Sequence, residues 1–321
     1  MRRLSVIFAR LFLCAVMGIF YPLRRWTASP KRFEKIAIAG NRTLIMQSKE
    51  SYASSNLDEF LEHSPVFTMS ELVHWLQNNF AKTPRAAAYN FIKNRRRAGR
   101  LAVVKEGLYF LVRPGATATT TPLDDFLLAS KLAPDAMLAF HTALDVLGFG
   151  HSLFSHHYYF SKTSRRPLRF RKGLFRCVTF PTVLLKDHTQ AFGMEKVERL
   201  GQKVITTGKE RTLVEALEHP EYCGGFEETY RCLEKMPYLQ FDVLVKYLEL
   251  RHMKKLYAVV GFFLEQHQDE FHVDEALLRH LESMKPSTPD YWDRSKKESA
   301  YAKRWNLVVP KAAMRRSWEE F

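Results

Sequence analysis

Cysteine is scarce in this chain. The four present, Cys14, Cys177, Cys223 and Cys232, form no CxxC pair and no dense spacing, which argues against a disulfide framework or a cysteine-rich metal module. A reducing compartment, with these residues as small buried hydrophobes or free thiols, is the simplest expectation. No glycine-rich phosphate loop, GxSxG elbow or HExxH helix occurs, so phosphoryl transfer, serine hydrolase and zinc protease chemistry have no motif to stand on. His151, His156 and His157 have no cysteine or carboxylate at ligand spacing, and adjacent His156 and His157 point to opposite faces of a strand. Glu210, Glu215, Glu218, Glu221, Glu227 and Glu228 are numerous, but most fit solvated helix faces. The expectation is therefore no catalytic site, no metal, no cofactor and no enzyme.

Acidic residues are also in deficit: 34 against 49 Lys and Arg, a formal charge of +15 over 321 residues. That excess is local. Residues 1–45 hold nine basic residues and one acid (Glu34), and residues 82–113 hold nine more with one acid (Glu106). The rest of the chain is close to neutral. A concentrated charge of this kind points to a polyanion-binding site rather than to a generally basic surface.

Residues 1–45 carry the one long apolar run, "LSVIFARLFLCAVMGIFYPL", flanked by Arg2, Arg3, Arg24 and Arg25. Three readings apply: an over-extended gene start whose true beginning is Met46, a signal or membrane anchor over residues 4–21, or a soluble arm. The first is the expectation. It leaves the protein cytoplasmic and, if it binds DNA, nucleoid-associated.

From Asn56 the pattern becomes regular. A short amphipathic helix, "NLDEFLEHS", ends at Ser64-Pro65. Thr68 and Glu71 make a T-x-x-E capping box, which starts a second helix near Met69. Thr83-Pro84 starts a third and Gly99 stops it. Two short runs, Leu101 to Val104 and Leu108 to Val112, then flank a Lys105-Glu106-Gly107 turn, a hairpin signal. Three helices and a hairpin in about sixty residues predict a winged helix-turn-helix over residues 46–115. "GATATTTP" gives a small-residue linker at 116–122. Residues 123–285 mix helices and strands with a helical C-terminal part, and 286–321 form a polar tail. "AMLAFHTALDVLGF" is expected to be helical throughout. The fold class is α+β: an N-terminal winged helix followed by a mixed α/β domain.

The third helix, within "KTPRAAAYNFIKNRRRAGRL" (82–101), places Ala88, Phe91, Ile92 and Ala98 near one side and Arg85, Tyr89, Lys93 and Arg96 on the opposite side. Arg85, in the first turn behind the capping Thr83, is placed to fork onto a guanine edge. Lys93, Arg95, Arg96 and Arg97 lie further along, where phosphates are nearer, and Arg100, Lys105 and Arg113 flank the hairpin. A second basic run, "KTSRRPLRFRKGLFR" (162–176), holds seven Lys or Arg and no acid. It suits nucleic acid or a protected strand edge equally.

"LAFHTALDVLGFGHSLFSHHYYFS" and "GQKVITTGKERTLVEALEHPEYCGGFEETYRCL" together resemble the bacterial AbiEi-type antitoxins of type IV toxin–antitoxin systems. Ala143, Leu144, Leu147 and Gly148 match that family's "hxALxxxGL" core. Glu210, Arg211, Thr212, Leu213, Pro220, Glu221, Gly224, Gly225, Glu227 and Glu228 match its "ERTLVDxLxRPExxGGxEE" signature, and "RWNLVVP" resembles its end. Lys209 departs from the pattern, which often has Pro there. The likeness covers roughly Asn56 to Pro310. It implies a winged helix that binds operator DNA, with inverted repeats if two copies bind as a dimer, and represses its own operon. It also implies a larger domain that neutralises a cognate nucleotidyltransferase-like toxin. Two other classes compete: a nucleic-acid enzyme steered by the winged helix, and a membrane-anchored transcriptional regulator.

Overall fold

The computed structural model describes residues 57–79, 85–293 and 298–316. The chain divides into two units, Met1–Glu59 and Phe60–Phe321; every strand, and every helix from Met69 onward, lies in the second. Among the described residues no helix is long and apolar enough to cross a membrane; residues 4–21 lie outside them. The fold is α+β.

Helical residues 60–63 precede β1 (Val66–Thr68), α1 (Met69–Asn79), α2 (Arg85–Arg97), β2 (Leu101–Lys105) and β3 (Leu108–Leu111). The expected capping box starts α1. Glu71 accepts the Thr68 amide at 2.8 Å while the Glu71 amide donates to the Thr68 hydroxyl at 3.2 Å, satisfying two end donors reciprocally. Leu72 and Leu76 bury one face of α1, Ala88 and Ile92 one face of α2. The three strands form an antiparallel sheet in the order β1-β3-β2. Phe60 meets Phe67 and Trp75 at 5.3 Å between ring centres, closing the apolar side.

Next in the chain is a six-stranded mixed sheet, in the order β6-β7-β5-β4-β9-β8. Its strands are β4 (Met137–Leu138), β5 (His156–Ser161), β6 (Leu168–Phe170), β7 (Gly173–Thr179), β8 (Met194–Arg199) and β9 (Gln202–Thr207). β5 runs parallel to β7 and β4 parallel to β9; the other pairings are antiparallel. β5 is rich in aromatic side chains, which suit the half-buried pleat. Short helix α3 (Asp125–Ser130) leads into this sheet, and α4 (His141–Val146) and α5 (Thr182–Lys186) connect its strands. Then come α6 (Lys209–Glu218), a 3₁₀ turn (Pro220–Cys223), α7 (Phe226–Leu233), α8 (Phe241–Arg251), α9 (Lys254–Gln266) and α10 (Glu275–Ser283).

Three regions differ from expectation. "AMLAFHTALDVLGF" is not one helix: Met137 and Leu138 are a strand between β5 and β9, and only His141 onward is helical. Phe140, with φ at 56°, breaks the run. Residues 116–122 are more than a small-residue spacer. Thr121 is buried, its hydroxyl accepts the Arg113 amide at 3.3 Å, and Arg171 donates to the carbonyls of Ala118 and Thr121 at 2.5 and 2.7 Å. One buried cluster runs across the segment, joining Val66, Leu108 and Phe110 to Leu127, Leu138, Tyr159 and Phe175. The polar tail contributes to the core: Trp292, Ala302, Trp305, Leu307, Val309 and Ala313 are buried. β10 (Asp290–Tyr291), β12 (Leu307–Pro310) and β11 (Ser299–Ala302) make a third sheet, followed by α11 (Lys311–Arg315). Trp292 and Trp305 are buried with α6–α10, and the Trp305 indole lies so close to Gly261 that a β-carbon there would fall 2.1 Å from it.

Candidate nucleic-acid interface

The buried edge of α2 is narrow. Ala88 and Ile92 are buried, Phe91 is half-buried beneath the Arg95 guanidinium at 5.4 Å, and Ala98 is exposed beyond the helix end. At 3.6 residues per turn, Arg85, Tyr89, Lys93 and Arg96 fall within roughly 80° of arc, and all four are exposed. This band borders the buried edge instead of opposing it as expected. The consequence is geometric: it turns the band toward the hairpin.

Tyr89, Lys93, Arg96 and Arg97 line a groove of about 560 Å³ whose other wall is Ala102, Val103 and Tyr109 of the hairpin. Among the described residues no carboxylate lines it. Three long cations and two phenols on an apolar floor can hold phosphates through ammonium and guanidinium donors and offer rings for stacking or van der Waals contact.

The other residues expected to touch DNA are scattered. Arg85 is exposed at the first turn, outside the groove lining. Arg100 is exposed just after the helix; its amide donates to the Arg95 carbonyl and its carbonyl accepts from Val112. Lys105 faces elsewhere: its ammonium donates to the Leu132 carbonyl at 3.1 Å. Burial, and then the charge of Arg165, hold its pKa below the usual lysine value. Thr83 lies outside the described residues. In the second basic run, Arg171 is structural, clamped over Phe110 and Phe170 at 5.3 and 5.4 Å, while Arg165, Arg166, Arg169, Lys172 and Arg176 are exposed.

The "ERTLVEALEHPEYCGGFEE" residues serve the interior. Glu210 accepts the Gln240 amide at 2.8 Å, Arg211 pairs with Glu215, and the Thr212 hydroxyl meets that of Thr207 at 2.7 Å. Pro220 opens the 3₁₀ turn, and Gly224 and Gly225 close it with φ of +87° and +103°. Glu227 is exposed and paired with Arg231 at 3.0 Å. Its neighbour Glu228 is the one drawn inward. One Glu228 carboxylate oxygen lies 3.0 Å from His141 Nε2 and 2.8 Å from the Ser152 amide, while the other accepts the Ser152 hydroxyl at 2.7 Å. His141 Nδ1 meets Asp145 at 3.0 Å.

Burial opposes charge on His141, yet hydrogen bonds with Asp145, Cys232 and Glu228 and the charge of Asp145 raise its pKa to about 10. Burial likewise opposes ionisation of Glu228, but donors from His141 and Ser152 pull it down to about 2. Phe154 stacks on the His141 ring at 4.4 Å. Sequence reasoning missed this cluster. The available signal was a pair of one-turn spacings, His141/Asp145 and Glu228/Cys232. The three histidines considered for metal go to separate surroundings: His151 is exposed, His156 is edge-on to Phe154, and His157 stacks on Phe175.

No protein-family model and no curated protein matches the chain. Among solved structures, the crystal structure of the RV2827C protein from Mycobacterium tuberculosis is similar, with a TM-score of 0.51 and 19% identity over 83% of this chain and 94% of that one. At that identity the likeness bears on the fold alone.

Proposed function

We propose that this protein binds DNA through a winged helix-turn-helix formed by α1, α2 and the β2–β3 hairpin, and acts as the antitoxin and operon repressor of an AbiE-like type IV toxin–antitoxin system. The observation that carries the DNA-binding part is the acid-free groove in which Tyr89, Lys93, Arg96 and Arg97 face the hairpin. The element order β1-α1-α2-β2-β3 with sheet order β1-β3-β2 supports it, because in a helix-turn-helix the second helix of the pair is the one that enters the major groove. In this reading Arg85 meets base edges, Lys93, Arg96 and Arg97 meet phosphates, and Arg100 holds the flanking backbone. The antitoxin role rests on the resemblance of residues 210–228 and 143–148. The partner is a nucleotidyltransferase-like toxin, the site of action is the nucleoid in the cytoplasm, and two copies bind an inverted repeat.

The test has two arms. Fluorescence anisotropy compares binding to the DNA upstream of the protein's own gene with a scrambled duplex, and co-expression with the product of the adjacent gene scores growth rescue. Specific binding with rescue is expected. Equal affinity for both duplexes removes the repressor role, and absence of rescue removes the antitoxin role.

A further inference from the structure

His141, Asp145, Glu228 and Cys232 are held together by more arrangement than a helix tie requires. Phe140 carries φ at 56° and ψ at −137°, a region costly for a residue with a β-carbon, and this turn delivers His141 into the interior as the first residue of α4. Gly150 admits the Asp145 carboxylate, since a β-carbon at Gly150 would lie 2.0 Å from its oxygen. Gly224 admits Glu228, whose Cγ would lie 3.1 Å from a β-carbon there. Ser152 fixes both oxygens of Glu228, and Phe154 covers the imidazole.

We propose that His141 Nε2, a Glu228 carboxylate oxygen and Cys232 Sγ form a binding site for one divalent transition-metal ion of the zinc class. The three ligand atoms lie within 4.8 Å of one another. The imidazole nitrogen and carboxylate oxygen are 3.0 Å apart, and that oxygen is 3.5 Å from the sulfur. A tetrahedral ion with bonds of 2.0–2.3 Å separates its nitrogen and oxygen ligands by roughly 3.3 Å and its oxygen and sulfur ligands by roughly 3.5 Å. Only small side-chain shifts are needed to admit it. Nitrogen, oxygen and sulfur in one site favour zinc over magnesium or calcium, which take oxygen alone.

The outer shell is also in place. Asp145 accepts from Nδ1 of His141, the carboxylate–histidine–metal arrangement that sets the tautomer and raises ligand basicity. Ser152 orients Glu228 through both oxygens: its amide donates to the ligand oxygen and its hydroxyl to the other. On binding, the Nε2 proton of His141 and the thiol proton of Cys232 leave to solvent, while the Nδ1 proton stays on the bond to Asp145. His141 and Cys232 are fully buried, and Ser152 is exposed, so the fourth position opens toward the 151–153 loop and takes water or the Ser152 hydroxyl. Such an ion would lock α4, α7 and this loop into one unit.

Cobalt(II) and zinc(II) titrations of the full chain test this site. The expected result is one cobalt per chain, with tetrahedral visible bands and a near-ultraviolet thiolate-to-cobalt band that stoichiometric zinc abolishes. Cys232→Ser should lose the thiolate band and Cys223→Ser, in the neighbouring 3₁₀ turn, should keep it. Asp145→Asn should weaken zinc affinity about ten- to hundredfold. A wild-type cobalt spectrum without a thiolate band overturns the proposal whatever the variants do. So does a band that survives in folded Cys232→Ser.

Discussion

Arg211 and Glu215, one turn apart in α6, form an ion pair at 2.8 Å with side chains 0% and 1% exposed. The pair is embedded in a polar set: Arg211 also donates to the Gln190 and Phe192 carbonyls at 2.8 Å, and the Tyr247 hydroxyl donates to Glu215 at 2.6 Å. Breaking a buried pair from one side strands the other charge, which costs about 3–5 kcal/mol. Arg211→Leu should therefore lose about that much stability in urea unfolding. A loss below about 1 kcal/mol would mean that Glu215 finds another partner. Tyr247→Phe keeps the pair but removes a hydrogen bond to a charged group, and should cost about 1.5–3 kcal/mol.

Gly224 and Gly225 differ in what a side chain would meet. At Gly225 nothing lies within 4 Å, so Gly225→Ala carries only the backbone penalty of φ at +103°, about 1–3 kcal/mol. Gly224→Ala adds contacts at 3.1 Å to Glu228 and 3.3 Å to Phe154. It should lower the melting temperature further than Gly225→Ala. Replacing both with Val should abolish antitoxicity while DNA binding through α2 suffers less. The reverse order of the two alanine variants would mean that Glu228 and Phe154 yield freely.

Acid should reach the protein through Glu234. Its carboxylate accepts from His267 Nε2 at 3.1 Å and from Arg316 at 3.2 Å. The His267 hydrogen bond, against the opposing effect of burial, holds it below its ordinary value of 4.5. A carboxylate depressed in the folded state contributes stability above its unfolded pKa, and that contribution disappears as pH falls through the folded one. The gap in melting temperature between wild type and Glu234→Gln should be constant near neutrality and narrow below about pH 5. A gap that widens in acid would contradict this role for Glu234.

The helix pair and hairpin were legible because their signals are local: the Thr68/Glu71 box, the apolar spacing of Leu72 and Leu76, and the turn at Lys105-Glu106-Gly107. The short strand Met137–Leu138 was not, because its residues continue the helical period of α4 and only the backbone turn at Phe140 separates them. The C-terminal sheet hid for another reason. Trp292 and Trp305 stand alone in a polar stretch, and their burial against α7 and α9 depends on tertiary partners such as Phe226, Phe262 and Gly261. The basic groove was half legible: periodicity grouped Arg85, Tyr89, Lys93 and Arg96, but nothing in it says that the hairpin supplies the second wall. The His141 cluster brings together residues up to 91 positions apart, and no local pattern pairs them.

Within α2, positioning and reading should separate by residue. Arg85→Ala should cost about 1–3 kcal/mol on the specific site and relax selectivity at one base pair. Comparable losses on specific and random DNA would make Arg85 a phosphate contact.

The most direct measurement is the salt dependence of binding to the upstream fragment, wild type against Arg96→Ala/Arg97→Ala. Removing one phosphate contact should reduce the slope of log K against log salt by about 0.9, so the double variant should fall short of wild type by about two units, with specific and scrambled duplexes weakened alike. An unchanged slope would show that the groove between α2 and the hairpin does not hold the DNA backbone.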